Sequence, residues 1–235
     1  MTNPNGAKVP RVTADYTTLP NGDRVWVQTA SDLQLDDIRE EASWYAREKV
    51  MPFRKGEPRY KMLVEDIKAN FSEEDRAALI AQAGYKNGEF KRIVDNELPK
   101  PVAPSREKDD TDEAFMKKQD EYLKELENID KLQEEKYNFL YNDRLEAAKA
   151  YSSQKRVTEC VERVISEKYA EAFDRGYTMH LLYVVVRKAD DPEHIDKYFV
   201  SPKQLEDEKW AATRSHLCKF YNEQIDTVRQ DAIPT

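Results

Sequence analysis

The side chains that could perform chemistry are few and lie far apart in this sequence. The three histidines, His180, His194 and His216, lack the companion nucleophile or metal-ligand spacing that catalysis or zinc binding would require. His180 lies in a mostly apolar segment, residues 179–186, where a hydrogen-bonded core histidine is more common than a general base. We therefore predict no catalytic residue.

Motifs for phosphate and metal binding are also missing from the sequence. Its six glycines are scattered, so the sequence contains neither a P-loop nor a dinucleotide-binding fingerprint. Acidic pairs such as Asp36-Asp37 and Glu40-Glu41 lack the spacing of a calcium loop, and charged helix faces explain them better. We expect no metal, no cofactor and no enzymatic activity.

The two cysteines, Cys160 and Cys218, belong to no CxxC pair and are predicted to be free thiols in a reducing compartment. Cys160 adjoins an apolar stripe and is expected to be a small buried hydrophobic residue. The N-terminal residues do not resemble a signal peptide, and the longest apolar run is far too short to cross a bilayer. These features predict a cytoplasmic protein without membrane contact.

Composition limits the class of partner. The chain has 235 residues, 36% of them charged and 39% hydrophobic, and a formal net charge of −8. Proteins that bind nucleic acid usually carry a basic patch. The densest basic stretch here, residues 54–61 (RKGEPRYK), is interrupted by glycine, glutamate and proline. We expect no nucleic-acid partner, and thin helical layers in place of one thick core.

The N-terminal part reads as a hairpin followed by short helices. Two alternating segments, residues 12–19 and 24–28, flank the turn sequence PNGD, which is typical of a β-hairpin. Ser31 with Gln34 predicts a capped helix that runs to about Val50. Further helices are predicted over residues 60–70, from Ser72 to a stop at Gly84, and over residues 89–98.

Residues 99–104, PKPVAP, form the clearest boundary in the sequence. Three prolines in six residues favour a stiff extended linker, and an acidic segment continues it. We therefore predict three parts: a hairpin with short helices at residues 1–98, a linker at 99–113, and a long helical hairpin with a terminal amphipathic helix at 114–235.

Residues 105–175 contain no glycine and no proline, and apolar residues recur every three or four positions along most of them. This pattern predicts a long helical hairpin that breaks at residues 142–143 or 152–153 and stops at Gly176. A long coiled coil is the alternative. Residues 179–186 form either a buried strand or a buried helix, and Ser201-Pro202 opens the last helix. The predicted fold class is mainly α with a small N-terminal β-hairpin.

Two segments together resemble a known family. Residues 24–28 (RVWVQ) and the capped helix from Ser31 resemble the opening of tail assembly chaperones encoded by long-tailed bacteriophages. Residues 197–205 (KYFVSPKQL), which lead into the terminal helix, are similar to the C-terminal part of that group. The resemblance covers about a quarter of the chain, and the charged region at residues 112–150 is longer than the group's pattern. It implies a non-enzymatic protein that binds the tape-measure protein in the host cytoplasm.

Without chemistry of its own, the chain is expected to act by binding another protein, and self-association stays open. A virion structural component of the tail or head-tail region is one alternative, and an acidic inhibitor of a host protein is another. Helical phase and aromatic content suggest a groove for a hydrophobic helix of the partner. Its candidate lining residues are Trp44, Tyr45, Trp210, Leu217 and Phe220.

Overall fold

The computed structural model describes residues 14–106 and 111–231, and their side chains as far as residue 225. Contacts divide the chain into two compact units: Met1–Pro52 with Glu167–Thr235 form the first unit, and Phe53–Ser166 form the second. This division differs from the predicted one, because residues on both sides of the proline-rich segment belong to the second unit. The predicted residues 12–13 of the hairpin and 107–110 of the linker lie outside the described residues.

A three-stranded antiparallel sheet lies in the first unit. Strands β1 (Ala14–Thr18) and β2 (Arg24–Gln28) form the predicted hairpin, with Tyr16 opposite Trp26. A third strand, β3 (Val186–Lys188), pairs with β2 and was not expected as a separate element.

Helices α1 (Asp32–Val50) and α7 (Ala211–Asp231) belong to the first unit, as does the C-terminal part of α6 (Ser153–Val185). The predicted capping box of Ser31 and Gln34 is present at the start of α1. The last helix starts later than predicted, because two 3-10 turns, Pro202–Glu206 and Glu208–Trp210, precede it. The buried core of this unit includes Val25, Val27, Ile38, Met179, Leu182, Val185, Val186, Phe199, Leu205 and Leu217.

Residues 179–186, for which both a buried strand and a buried helix were predicted, are mostly helical. The segment is helical through Val185 and becomes strand only at Val186. Met179, Leu182 and Val185 are all buried, at the three-residue spacing of one helix face.

The second unit contains four further helices: α2 (Pro58–Asn70), α3 (Glu73–Lys86), α4 (Glu89–Glu97) and α5 (Asp112–Lys149), followed by the start of α6. Ser72 and Asp75 form a capping box at the start of α3. Together with the long C-terminal helices and the N-terminal hairpin, these elements confirm the mainly α fold class.

Two glycines predicted to end helices lie inside them instead. A Cβ on Gly84 would stand 2.2 Å from the Phe90 ring, and one on Gly176 would stand 3.0 Å from the Tyr45 ring. Both glycines therefore permit close packing against a neighbouring side chain, and their helices continue to Lys86 and Val185.

The break between α5 and α6, residues 150–152, overlaps the predicted break at residues 152–153, whereas the other predicted place, residues 142–143, lies within α5. Arg156 closes this turn, and we call its set of contacts the Arg156 clasp. Its guanidinium donates to the carbonyl oxygen of Lys149 at 2.8 Å and to the carboxylate of Glu73 at 2.6 Å. Ser153 donates to the same carboxylate at 2.6 Å. The arginine thus caps the C-terminal end of α5, where carbonyl groups lack helical partners, and ties it to the first turn of α3.

The proline-rich segment lies along α5 as an extended strap, defined here as residues 98–106. Its partly buried positions are Leu98, Pro101 and Pro104, which is the three-residue period of a polyproline II helix. Gln133 donates to the Leu98 carbonyl at 2.7 Å at one end, and Arg106 lies 5.9 Å from the centre of the Phe115 ring at the other.

The lengths of the strap and of the helix beneath it agree. Eight residues of polyproline II helix span about 25 Å, and the stretch of α5 between the two contacts spans about 27 Å. The ion pair of Lys100 with Asp130, at 2.9 Å, lies between the ends. These contacts explain why the segment does not separate the two units.

We predict that Arg156→Met lowers the free energy of unfolding by about 2 kcal/mol or more at neutral pH, because it leaves the carbonyl groups at the end of α5 without their charged donor and removes one of the two arginines that bind Glu73. Thermal melts followed by circular dichroism measure the loss. The matched control is Lys131→Met, which removes an exposed ion pair with Glu127 and should change the free energy of unfolding much less, because solvent screens that pair. Equal costs for the two variants would contradict the clasp.

Candidate functional site

The structure does not bring the five predicted binding residues into one open groove. Leu217 is fully buried in the core of the first unit. Tyr45, Trp210 and Phe220 are partly buried and pack against that same core. Only Trp44 is exposed. The predicted groove is therefore wrong for Leu217, because helical phase identifies an apolar face without telling whether the protein itself already covers it.

Tyr45 has an internal role as well. Its hydroxyl donates to Oε1 of Glu206 at 2.8 Å, and Lys49 donates to the same oxygen at 2.8 Å. The Lys49 bond, followed by the Tyr45 bond, lowers the pKa of the Glu206 carboxyl, while burial and the Glu206 carboxylate raise the pKa of Tyr45. These bonds hold the 3-10 turn Pro202–Glu206 against α1.

Trp44 lies on the opposite side of α1 from this core. Its side chain is 61% exposed, and Leu33 and Met51 are 74% and 49% exposed. Spacings of eleven and seven residues are close to three and two helical turns, so the three side chains lie in one row, about 16 Å and 10 Å apart. We call this row the α1 stripe.

Acidic side chains border the α1 stripe. Helix α1 carries six carboxylates against three cations, and Asp37, Glu40 and Glu48 are exposed at positions between the three apolar residues. One cation, Arg47, lies 5.4 Å from the centre of the Trp44 ring. The stripe is thus an apolar row on a surface of net negative charge. Leu33 and Met51 were missed at the sequence level, although their spacing from Trp44 would have indicated them.

The histidines make separate contacts. His194, at a φ of 51°, stacks on Trp26 with ring centres 4.4 Å apart, and its Nε2 lies 3.1 Å from the Tyr16 hydroxyl. His216 hydrogen-bonds to Thr17 at 2.9 Å. Burial lowers the pKa of His180. None of these contacts includes a serine or cysteine nucleophile.

Both cysteines are free, as predicted, and Cys160 is buried. Burial raises the pKa of both thiols, which disfavours the reactive thiolate. Within the described residues, no group of three or more histidine, cysteine, aspartate and glutamate side chains could hold a metal ion. In the same part of the chain, no helix combines the length and apolar character needed to span a membrane.

Comparisons with protein-family models, curated proteins and solved structures find no match to this chain. The candidate site is therefore argued from its own geometry. Of the exposed surfaces in the first unit, the α1 stripe is the one that presents a tryptophan, a residue type enriched among the anchors of protein interfaces.

We predict that Tyr45 and Glu206 contribute to stability and not to binding. Tyr45→Phe should cost about 1 kcal/mol of unfolding free energy, because it removes one hydrogen bond to a carboxylate. Glu206→Gln should destabilise the protein at pH 7, and the destabilisation should become smaller as the pH is lowered towards 3. The folded pKa of Glu206 is depressed, so its contribution is present above its unfolded pKa and is lost as the pH falls through the folded value.

Thermal melts of both variants at pH 7 and pH 3 measure these effects. An equal destabilisation of Glu206→Gln at the two pH values would contradict the ion pair. If Tyr45→Phe left the melting temperature unchanged and weakened partner binding, Tyr45 would be a binding residue and the prediction would be wrong.

Proposed function

We propose that this protein is a non-enzymatic binding factor that holds a helical segment of another protein against the α1 stripe. The observation that carries the proposal is the exposed Trp44, aligned with Leu33 and Met51 on one helix face. Burying a tryptophan and two aliphatic side chains supplies the apolar area that a helix-in-groove contact needs.

The negative charge around the α1 stripe indicates which charges the partner helix should carry. With Asp37, Glu40 and Glu48 beside the apolar row, a partner helix whose own apolar row is flanked by lysine or arginine is favoured. The same charge keeps the complex dispersed, since the chain has a net charge of −8. An acidic protein with exposed apolar anchors suits the protection of an aggregation-prone helical chain.

The finer form of the proposal is a tail assembly chaperone of a long-tailed bacteriophage that binds the tape-measure protein. Its support is the resemblance of residues 24–28, of the capped helix after Ser31 and of residues 197–205 to that group. On this proposal the protein acts in the cytoplasm of the host cell and is absent from the finished particle.

We predict that Trp44→Ala weakens binding of the partner by roughly 30-fold or more, equivalent to about 2 kcal/mol, with the unfolding free energy changed by less than about 0.5 kcal/mol. The partner to test is a tape-measure fragment, co-expressed with the protein. The wild type should keep the fragment soluble and co-purify with it, and Trp44→Ala should not.

The matched control is Trp210→Phe, which alters a tryptophan that packs against Phe199 and Tyr198 at the edge of the core. This variant should lower the melting temperature and leave the fragment bound. A fragment that still precipitates with the wild type, while the protein is found stoichiometrically in purified particles, would replace the chaperone with a virion structural component. Equal capture by wild type and Trp44→Ala would remove the α1 stripe from the binding surface.

A further inference from the structure

A solvent-open groove of about 480 Å³ lies between α3 and α5 in the second unit. Its lining residues are Gln82, Tyr85, Lys86, Asn138 and Tyr141. Two aromatic rings and two amides therefore face the same space. None of these residues belongs to the α1 stripe, so the site is independent of the function proposed above.

Tyr85 is held by three contacts although its side chain is 43% exposed. Its ring stacks on Tyr137 with centres 5.8 Å apart, and its hydroxyl donates to the Tyr137 carbonyl at 3.3 Å. The edge-to-face contact with Phe90, at 5.0 Å, supports it from behind. A ring fixed in this way loses little conformational entropy when a ligand packs on it.

The helix beneath this ring contains an unfavourable residue that the packing of Phe90 explains. Gly84 lies within α3, where glycine is about 1 kcal/mol less favourable than alanine. The Phe90 ring occupies the space in which a Cβ would stand, at 2.2 Å. A less favourable helix residue thus allows Phe90 to sit directly behind Tyr85.

Two amide side chains of the groove are available to a ligand. The side-chain amides of Gln82 and Asn138 are exposed and make no hydrogen bond within the described part of the chain. Each amide can donate through its NH₂ group and accept through its oxygen. They flank Tyr85 and Tyr141, whose ring centres are 6.0 Å apart with a tilt of 40°.

We infer that this groove binds a proline-rich segment of a partner protein in the polyproline II conformation. Such segments dock in grooves lined by aromatic side chains, where the pyrrolidine rings pack on the aromatic faces. Their backbone makes no internal hydrogen bonds, so the carbonyl groups are free to accept from the amides of Gln82 and Asn138. The segment is already extended, and little entropy is lost on binding.

Helix α5 already receives a segment of this kind from its own chain. The strap, residues 98–106, lies on the part of α5 between Phe115 and Gln133 with polyproline II periodicity. The groove lies further along the same helix, where Asn138 and Tyr141 line it. Only one cation, Lys86, lines it, and the chain's net charge of −8 disfavours a nucleic-acid ligand.

The test uses the full-length protein and two fluorescein-labelled probes: a peptide of sequence LPKPVAPSR, which copies residues 98–106, and a proline decamer. Fluorescence anisotropy should show saturable binding of at least one probe. The double variant Gln82→Leu with Asn138→Leu should weaken that binding about tenfold, as expected for two lost hydrogen bonds. Tyr141→Ala should weaken it at least as much.

The matched control is Phe139→Ala, which removes an exposed aromatic ring of the same helix outside the groove and should leave the affinity unchanged. Circular dichroism melts confirm that each variant is folded. Absence of saturable binding of both probes would overturn the proposal. Equal affinity of the double variant and the wild type would also overturn it, because the peptide would then be exchanging with the strap.

Discussion

The Arg156 clasp is the contact on which the arrangement of the second unit depends. One guanidinium binds the last carbonyls of α5 and the carboxylate at the start of α3, so it fixes where α5 ends, where α6 begins and which helix lies beside the turn. The side chain is only 14% exposed, and a mostly buried guanidinium is tolerated because its Nε donates to the Glu73 carboxylate and its Nη1 to backbone carbonyls. Apolar packing of Ala148 and Val157 beside it then excludes water from the turn.

Turns, helix caps and helix breaks could be predicted from the sequence, because each depends on residues that are neighbours in the chain. The PNGD turn, the capping boxes at Ser31 and Ser72 and the break near residue 152 all depend on a few neighbouring residues, and all are present. Strand β3 could not be predicted in the same way. It is three residues long and exists because β2 offers an open edge at Val27, more than 150 residues earlier in the chain.

The proline-rich segment also depends on distant residues, although its local conformation was predicted correctly. Prolines at residues 99, 101 and 104 predict an extended backbone, and the contacts at residues 98 and 106 are far enough apart along α5 to require one. Whether such a segment crosses solvent as a linker or lies on a helix depends on distant partners, here Gln133, Asp130 and Phe115. The prediction that Gly84 and Gly176 end their helices failed for a related reason. Glycine is common at helix ends, but here each glycine leaves room for a side chain from elsewhere in the chain.

The candidate sites were harder to predict than the fold, because an apolar side chain at a helical position can serve the core or a partner. Trp44 and Tyr45 are adjacent in sequence, yet a rotation of about 100° per residue places one in solvent and the other against the core. What distinguishes a binding side chain is how its surroundings hold it. Tyr85 contacts Tyr137 and Phe90, whereas the exposed Trp44 has Arg47 beside its ring. The two proposed binding surfaces therefore differ in how their aromatic side chains are held, which is why a rigid extended segment is proposed for one and a helix for the other.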